Sequence, residues 1–108
     1  MIPKKQRLQR NLINKILHKG QKVDQKYFSY KYAPSKSQSS RFCVIISLKV
    51  SPKAVIRNRL RRKIYEIIRL NAALVSSPYD IIIICKKGAP GLAHKELLQE
   101  ITKAFKKI

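Results

Sequence analysis

The chain has 108 residues, 44% of them hydrophobic, enough for one domain with a modest core and too few for a second. With 25 Lys and Arg against 5 Asp and Glu, the formal net charge is +20. That much self-repulsion favours a polyanionic partner, nucleic acid first and an anionic membrane surface second. No apolar run approaches the roughly 18 residues that a membrane span requires. Cys43 and Cys85 each sit inside an apolar run with no partner at metal-ligand spacing, as small buried hydrophobes of a reducing compartment do.

Residues 3–10 read as a loose basic arm carrying Lys4, Lys5, Arg7 and Arg10. Leu8, Leu12, Ile13, Ile16 and Leu17 then recur at helical spacing, predicting a first helix over residues 8–18 that stops near Gly20. An acid-free amphipathic start also resembles a mitochondrial presequence. The segment is rich in Lys and nearly free of Ser, however, and its basic bias runs through the whole chain, which favours an untargeted cytoplasmic protein. From residue 22 to 33 the period becomes two, with Phe28, Tyr30 and Tyr32 on one strand face and Tyr27, Ser29 and Lys31 on the other. The aromatic row is either core packing or a platform for unpaired bases. After a polar loop at 34–40, residues 41–49 are apolar on both faces, which predicts a central strand covered on both sides.

The next stretch organises the rest. Ser51 and Pro52 read as an N-cap and a first helical residue, and Ile56, Leu60, Ile64, Ile67 and Ile68 mark one apolar face of a helix running to about residue 69. Around it, Arg57, Arg59, Arg61, Arg62 and Lys63 crowd into about 10 Å of axis. Asn58, Arg62, Tyr65 and Arg69 point most directly away from the apolar stripe, and Glu66 is the single acid at hand. A solvated face ordinarily mixes signs, because like charges three and four residues apart are destabilising. Arg outnumbers Lys here, and its planar fork fits phosphate oxygens. A polyanion is the better explanation of the cluster.

Residues 72–78 form a connection. Residues 80–87 form another doubly apolar strand, ending in Lys86 and Lys87 before the turn at 88–91, and residues 93–107 form a last amphipathic helix. Strands on either side of the basic helix must run parallel, giving a β-α-β crossover in a small mixed sheet of the α+β class, with Lys49 and Lys86-Lys87 at the same sheet edge. The acids Asp24, Glu66, Asp80, Glu96 and Glu100 are scattered, and His18 and His94 lie on different helices. Neither pattern gathers the groups that phosphodiester hydrolysis needs. A structural RNA-binding protein of the ribosome or its assembly and a protein-catalysed nuclease remain as rival readings.

The run from Ser47 to Glu66, with Ala54, Val55, Arg57, Asn58, Arg59, Leu60, Arg61 and Arg62 at its centre, closely resembles the signature of the protein subunit of bacterial ribonuclease P. The basic N-terminal segment, HKGQKV around Gly20, the aromatic strand, YDIIIICKKGAP and the last helix follow in family order, so the resemblance covers essentially the whole chain. It implies a single RNA-binding domain with the element order α-β-β-β-α-β-α, a four-stranded sheet, three helices and a ribosomal protein S5 domain 2-like fold. The crossover in that fold is left-handed, against the usual rule. It also implies an accessory subunit of an RNA enzyme that removes the 5′ leader of precursor tRNA. The resemblance further implies that Mg2+ is held in the RNA holoenzyme and that the chain itself would carry no cofactor, catalytic residue or metal site, with no membrane or obligate protein partner expected. By position, Lys49, Lys53, Arg57, Asn58, Arg59, Arg61, Arg62 and Arg69 would contact the catalytic RNA. Ile13, Leu17, Lys31, Lys86 and Lys87 would line a leader cleft between the first helix and the sheet. Ile13 and Leu17 stand where the family usually has aromatics, Leu48 where a second basic residue is common, and Tyr65 where an Arg is common.

Overall fold

The computed structural model describes residues 8–108, so residues 3–7 of the expected basic arm lie outside the described residues, while Arg10 already opens the first helix. The elements are α1 (Arg10–Lys19), β1 (Gln21–Asp24), β2 (Phe28–Pro34), β3 (Arg41–Ile45), α2 (Ala54–Asn71), β4 (Tyr79–Cys85) and α3 (His94–Lys107), with single 3-10 turns at Ala72–Leu74 and Ala89–Gly91. This is the expected α+β order. The sheet runs β1-β2-β4-β3, with β3 and β4 parallel and the other neighbours antiparallel. The basic helix α2 therefore joins the parallel pair, and β1 with β2 makes the hairpin.

The alternation along each strand decides where the core lies. Register aligns Val23, Tyr30, Ile83 and Val44 in one row and Phe28 with Cys85 in another. These rows face Leu60, Ile64, Ile67 and Ile68 of α2 and Leu97, Ile101 and Phe105 of α3. Phe28 and Tyr30 are fully buried, each contributing about 2 kcal/mol through the area it removes from water. The Tyr30 hydroxyl donates to Gln25 Oε1 at 2.9 Å, and Gln25 Nε2 donates to the Glu100 carbonyl at 2.9 Å, so the phenol is buried without an orphaned polar atom. Phe28 and Tyr30 are therefore core, and Tyr32 packs edge-on to Tyr79 with ring centroids 5.7 Å apart. The base-stacking platform is excluded for the two buried rings.

Two sequence expectations are corrected. The strand expected over 41–49 ends at Ile45 and lies at the sheet edge, whereas β4 sits between β2 and β3. It reads as central because both its faces are packed and its free edge is occupied as well. The Leu8 N–H donates to the Phe42 carbonyl at 3.1 Å, and the Val44 N–H donates to the Tyr65 hydroxyl oxygen at 3.4 Å. Helix α2 begins at Ala54 with extended Lys53 as its N-cap, so Ser51 and Pro52 stand ahead of it. The Ser51 hydroxyl accepts from the Lys53 N–H at 3.3 Å, closing a local turn instead of capping the helix. At the end of α1, the Gly20 N–H donates to the Ile16 carbonyl at 2.7 Å, and a Cβ there would come within 2.6 Å of that same oxygen. Close approach, with no left-handed turn, explains the glycine.

Candidate nucleic-acid interface

Helix α2 buries its isoleucine face and leaves its cations around the remainder. Arg59, Arg62 and Lys63 are exposed; Arg57 and Arg61 are half-buried. The partners of the half-buried pair are neutral oxygens: Arg57 Nη1 donates to the Ser51 carbonyl at 2.9 Å, and Arg61 Nη1 donates to Asn58 Oδ1 at 3.0 Å. Such bonds fix a guanidinium in place without cancelling its charge. Among the described residues, no acid lies within ion-pair distance of Arg57, Arg59, Arg61, Arg62 or Lys63. Arg69 differs. Its Nε donates to Glu66 Oε2 at 3.2 Å and its Nη2 contacts Glu66 Oε1, and this partner holds the Glu66 carboxyl below its usual range. Of the residues expected on the RNA-docking surface, Arg69 is thus the one whose charge is offset within the chain. Lys49 and Lys53 are exposed on the segment leading into the helix.

The edge of β3 joins this helix to a second surface. Tyr65 of α2 covers the Val44 N–H, and Asn58, Arg61, Arg62 and Tyr65 line one concave flank of the helix. Burial pushes the Cys43 thiol up, and the Arg61 charge opposes that shift, so this guanidinium acts on a side chain from the opposite sheet face.

That opposite face carries α1. Register places Lys22, Lys31, Ile82 and Cys43 in one row across all four strands, and Asp24, Ser29, Ile84 and Ile45 in the next. Leu8 and Ile16 bury Ile82 completely. Leu12, Ile13 and Leu17 of α1 and Cys43, Ile45 and Ile84 of the sheet are only partly buried around them. One ten-residue helix cannot roof four strands, so Ile13 and Leu17 keep part of their apolar surface uncovered beside the sheet. Of the expected cleft residues, Ile13 and Leu17 pack around the same small cluster as Cys43, Ile45 and Ile84, and Lys31 is the register partner of Ile82 at its centre. The apolar character of β3 and β4 on both faces was the sequence signal for Cys43, Ile45 and Ile84.

The two lysines after β4 separate. Lys86 Nζ ion-pairs with Asp24 Oδ1 at 2.7 Å and donates to the Gln25 carbonyl at 2.6 Å, tying the end of β4 to the β1–β2 turn. Lys87 is exposed. On the other flank of α1, Arg41 grips Asp80 beside Lys15, Lys19 and Lys36, around a cavity of about 150 Å³. Among the described residues, no three acids, histidines or cysteines converge as metal ligands, and no helix is long and apolar enough to cross a membrane.

Known proteins share the sequence and the fold of this chain. A family model described as Ribonuclease P matches residues 2–108. The ribonuclease P protein component of Desulforapulum autotrophicum is 34% identical over 107 residues, spanning 98% of this chain and 91% of that relative. The corresponding component of Fusobacterium nucleatum is 36% identical over 95 residues, spanning 84% and 85%. In fold, the chain is similar to the RNase P protein from Thermotoga maritima, with a TM-score of 0.84 at 24% identity over 94% of this chain and 96% of that one. It is also similar to Staphylococcus aureus RNase P protein, with a TM-score of 0.83 at 23% identity over 94% of each chain. With the family model spanning nearly every residue and relatives matched along almost their whole length, this chain belongs to the ribonuclease P protein family.

Proposed function

We propose that this ribonuclease P protein component promotes tRNA 5′ maturation by holding RNA on two adjoining surfaces, while the catalytic RNA performs the cleavage. The uncancelled cations of α2, Arg57, Arg59, Arg61, Arg62 and Lys63, with Lys49 and Lys53 ahead of them, dock on the backbone of that RNA. The cleft beside α1, with Ile13, Leu17, Cys43, Ile45 and Ile84 as its apolar lining and Lys31 at its side, takes the single-stranded 5′ leader of precursor tRNA. Mg2+ bound by the RNA supplies the hydrolytic chemistry, and the chain contributes charge and position. Binding both RNAs at once raises the local concentration of leader at the RNA active site, which is catalysis by proximity.

The observation that carries this reading is the state of the α2 arginines. Five neighbouring cations are without acidic partners among the described residues, on a helix that meets the cleft across one strand edge. Like charges so placed cost stability in the free protein, and a polyanion removes that cost. The test is reconstitution with a bacterial ribonuclease P RNA and precursor tRNA at low Mg2+. The expected result is faster 5′ processing on adding the protein. No gain rejects the proposal, and co-purification with ribosomal particles in place of one catalytic RNA would favour a structural role.

A further inference from the structure

Ile56, Arg59, Leu60 and Lys63 lie along one strip of α2, at the i, i+3, i+4 and i+7 positions. Across from this strip stand Pro90, Gly91 and Leu92, at the end of the second 3-10 turn, and Leu97 of α3. Between the two walls is a cavity of about 380 Å³. Leu60 and Leu97 are buried and give it an apolar floor, while Ile56 is only half-buried beside it. Arg59 and Lys63 stand about 6 Å apart along the helix axis. Both are exposed, and among the described residues neither has an acid within ion-pair distance. The acids nearest in sequence to the two walls are engaged: Glu66 pairs with Arg69, and Glu96 accepts from the Ala93 N–H at 3.0 Å. A Cβ at Gly91 would meet no atom within 4 Å, and the residue has no left-handed backbone, so neither packing nor conformation calls for a glycine there. What the missing side chain leaves is room in the cavity wall.

We propose that this cavity takes one unstacked base of the catalytic RNA, with Arg59 and Lys63 on the phosphates beside it. This rests on the reading that α2 docks on that RNA. The volume falls among small-ligand sites, which run from roughly 300 to 1,000 Å³. The apolar lining suits the face of a base, and the two cations suit the charge that its nucleotide brings. An uncharged protein surface in the same place would desolvate both cations without pairing them. Backbone contacts along α2 are blind to sequence. A base held in a shaped cavity is not, so this site fixes the register in which the helix lies on the RNA.

The test uses the full chain, a bacterial ribonuclease P RNA and two footprints, one of backbone cleavage and one of base modification. Wild-type protein is expected to protect an unpaired base. Gly91→Leu, which fills the cavity without changing a charge, should re-expose that base and leave the backbone footprint in place. Its affinity should fall about tenfold with the salt slope unchanged. Removing the base from that one nucleotide should weaken wild-type protein by the same factor and leave Gly91→Leu no weaker than before, the coupling of two halves of one contact. The abasic RNA acts on wild-type protein, so the test stands even if the variant does not fold. Wild-type affinity in a folded Gly91→Leu chain overturns the proposal. So does a wild-type protein that protects no unpaired base while its salt slope still depends on the α2 arginines. A salt slope indifferent to those arginines removes the docking reading itself, and the base site with it.

Discussion

Arg41 and Asp80 grip each other side-on where β3 and β4 begin, Nε to Oδ1 and Nη2 to Oδ2, each at 2.8 Å. They are register partners on the parallel pair, and Asp80 is 4% exposed. Removing one partner leaves a desolvated charge behind. Asp80→Ala should therefore cost about 3 kcal/mol in urea unfolding, and the double replacement Arg41→Met with Asp80→Leu should cost less than either single change. A double variant as unstable as the sum of the singles would show that the pair is not what holds the two strand starts together.

The two exposed ion pairs set an acid limit. Lys86, through its hydrogen bond, holds the Asp24 carboxyl below its usual range, and Arg69 does the same for Glu66. Folded values below the unfolded ones give stability that is fully present above the ordinary carboxylate range and is lost as pH falls through the folded values. Thermal stability should thus be flat near neutrality and fall below about pH 4. Asp24→Asn should remove part of that acid-side dependence; an unchanged profile would mean that the Lys86 contact does not persist in solution.

Cysteine labelling reports on the cleft. Burial pushes the Cys85 thiol up to about 12, while Cys43 is raised by burial and pulled back by Arg61. The thiolate is the reactive form, so at pH 8 Cys43 should label slowly and Cys85 only on unfolding. Precursor tRNA in the holoenzyme should protect Cys43 more than mature tRNA does. Equal protection by both would place the leader elsewhere.

Ile13 offers a gain of function. It is half-buried on α1, at a position where the resemblance to the family implies an aromatic ring. Base–aromatic stacking is worth about 1–3 kcal/mol, so Ile13→Phe should tighten binding of precursor over mature tRNA by about fivefold or more. Titration of both RNAs against the holoenzyme checks this, and equal tightening of the two would contradict it.

Local patterns in the sequence were enough for the helices, the parallel crossover and the basic cluster, because each depends on spacing within one segment. What they could not carry were relationships between distant segments. Residues 41–45 look central because Leu8 and Tyr65 occupy the strand's free edge, and edge or centre is a matter of which strands pair. Lys86 looks free until Asp24, 62 residues earlier, is brought to it. Phe28, Tyr30 and Tyr32 share a face in any strand, but only α2 and α3 packing on that face makes it the dry one. In the same way, Lys22 opposes Lys31 only through the hairpin register.

The central claim is that the arginines of α2 meet an RNA backbone, and the salt dependence of binding tests it most directly. With about six phosphates neutralised, log affinity for single-stranded contacts should fall against log salt with a slope near −4, slightly steeper on duplex. Changing Arg57, Arg59 and Arg61 together to Gln should flatten that slope by about 2, with the fold intact by circular dichroism. A triple variant with the wild-type slope would show that the RNA is held by another part of the molecule.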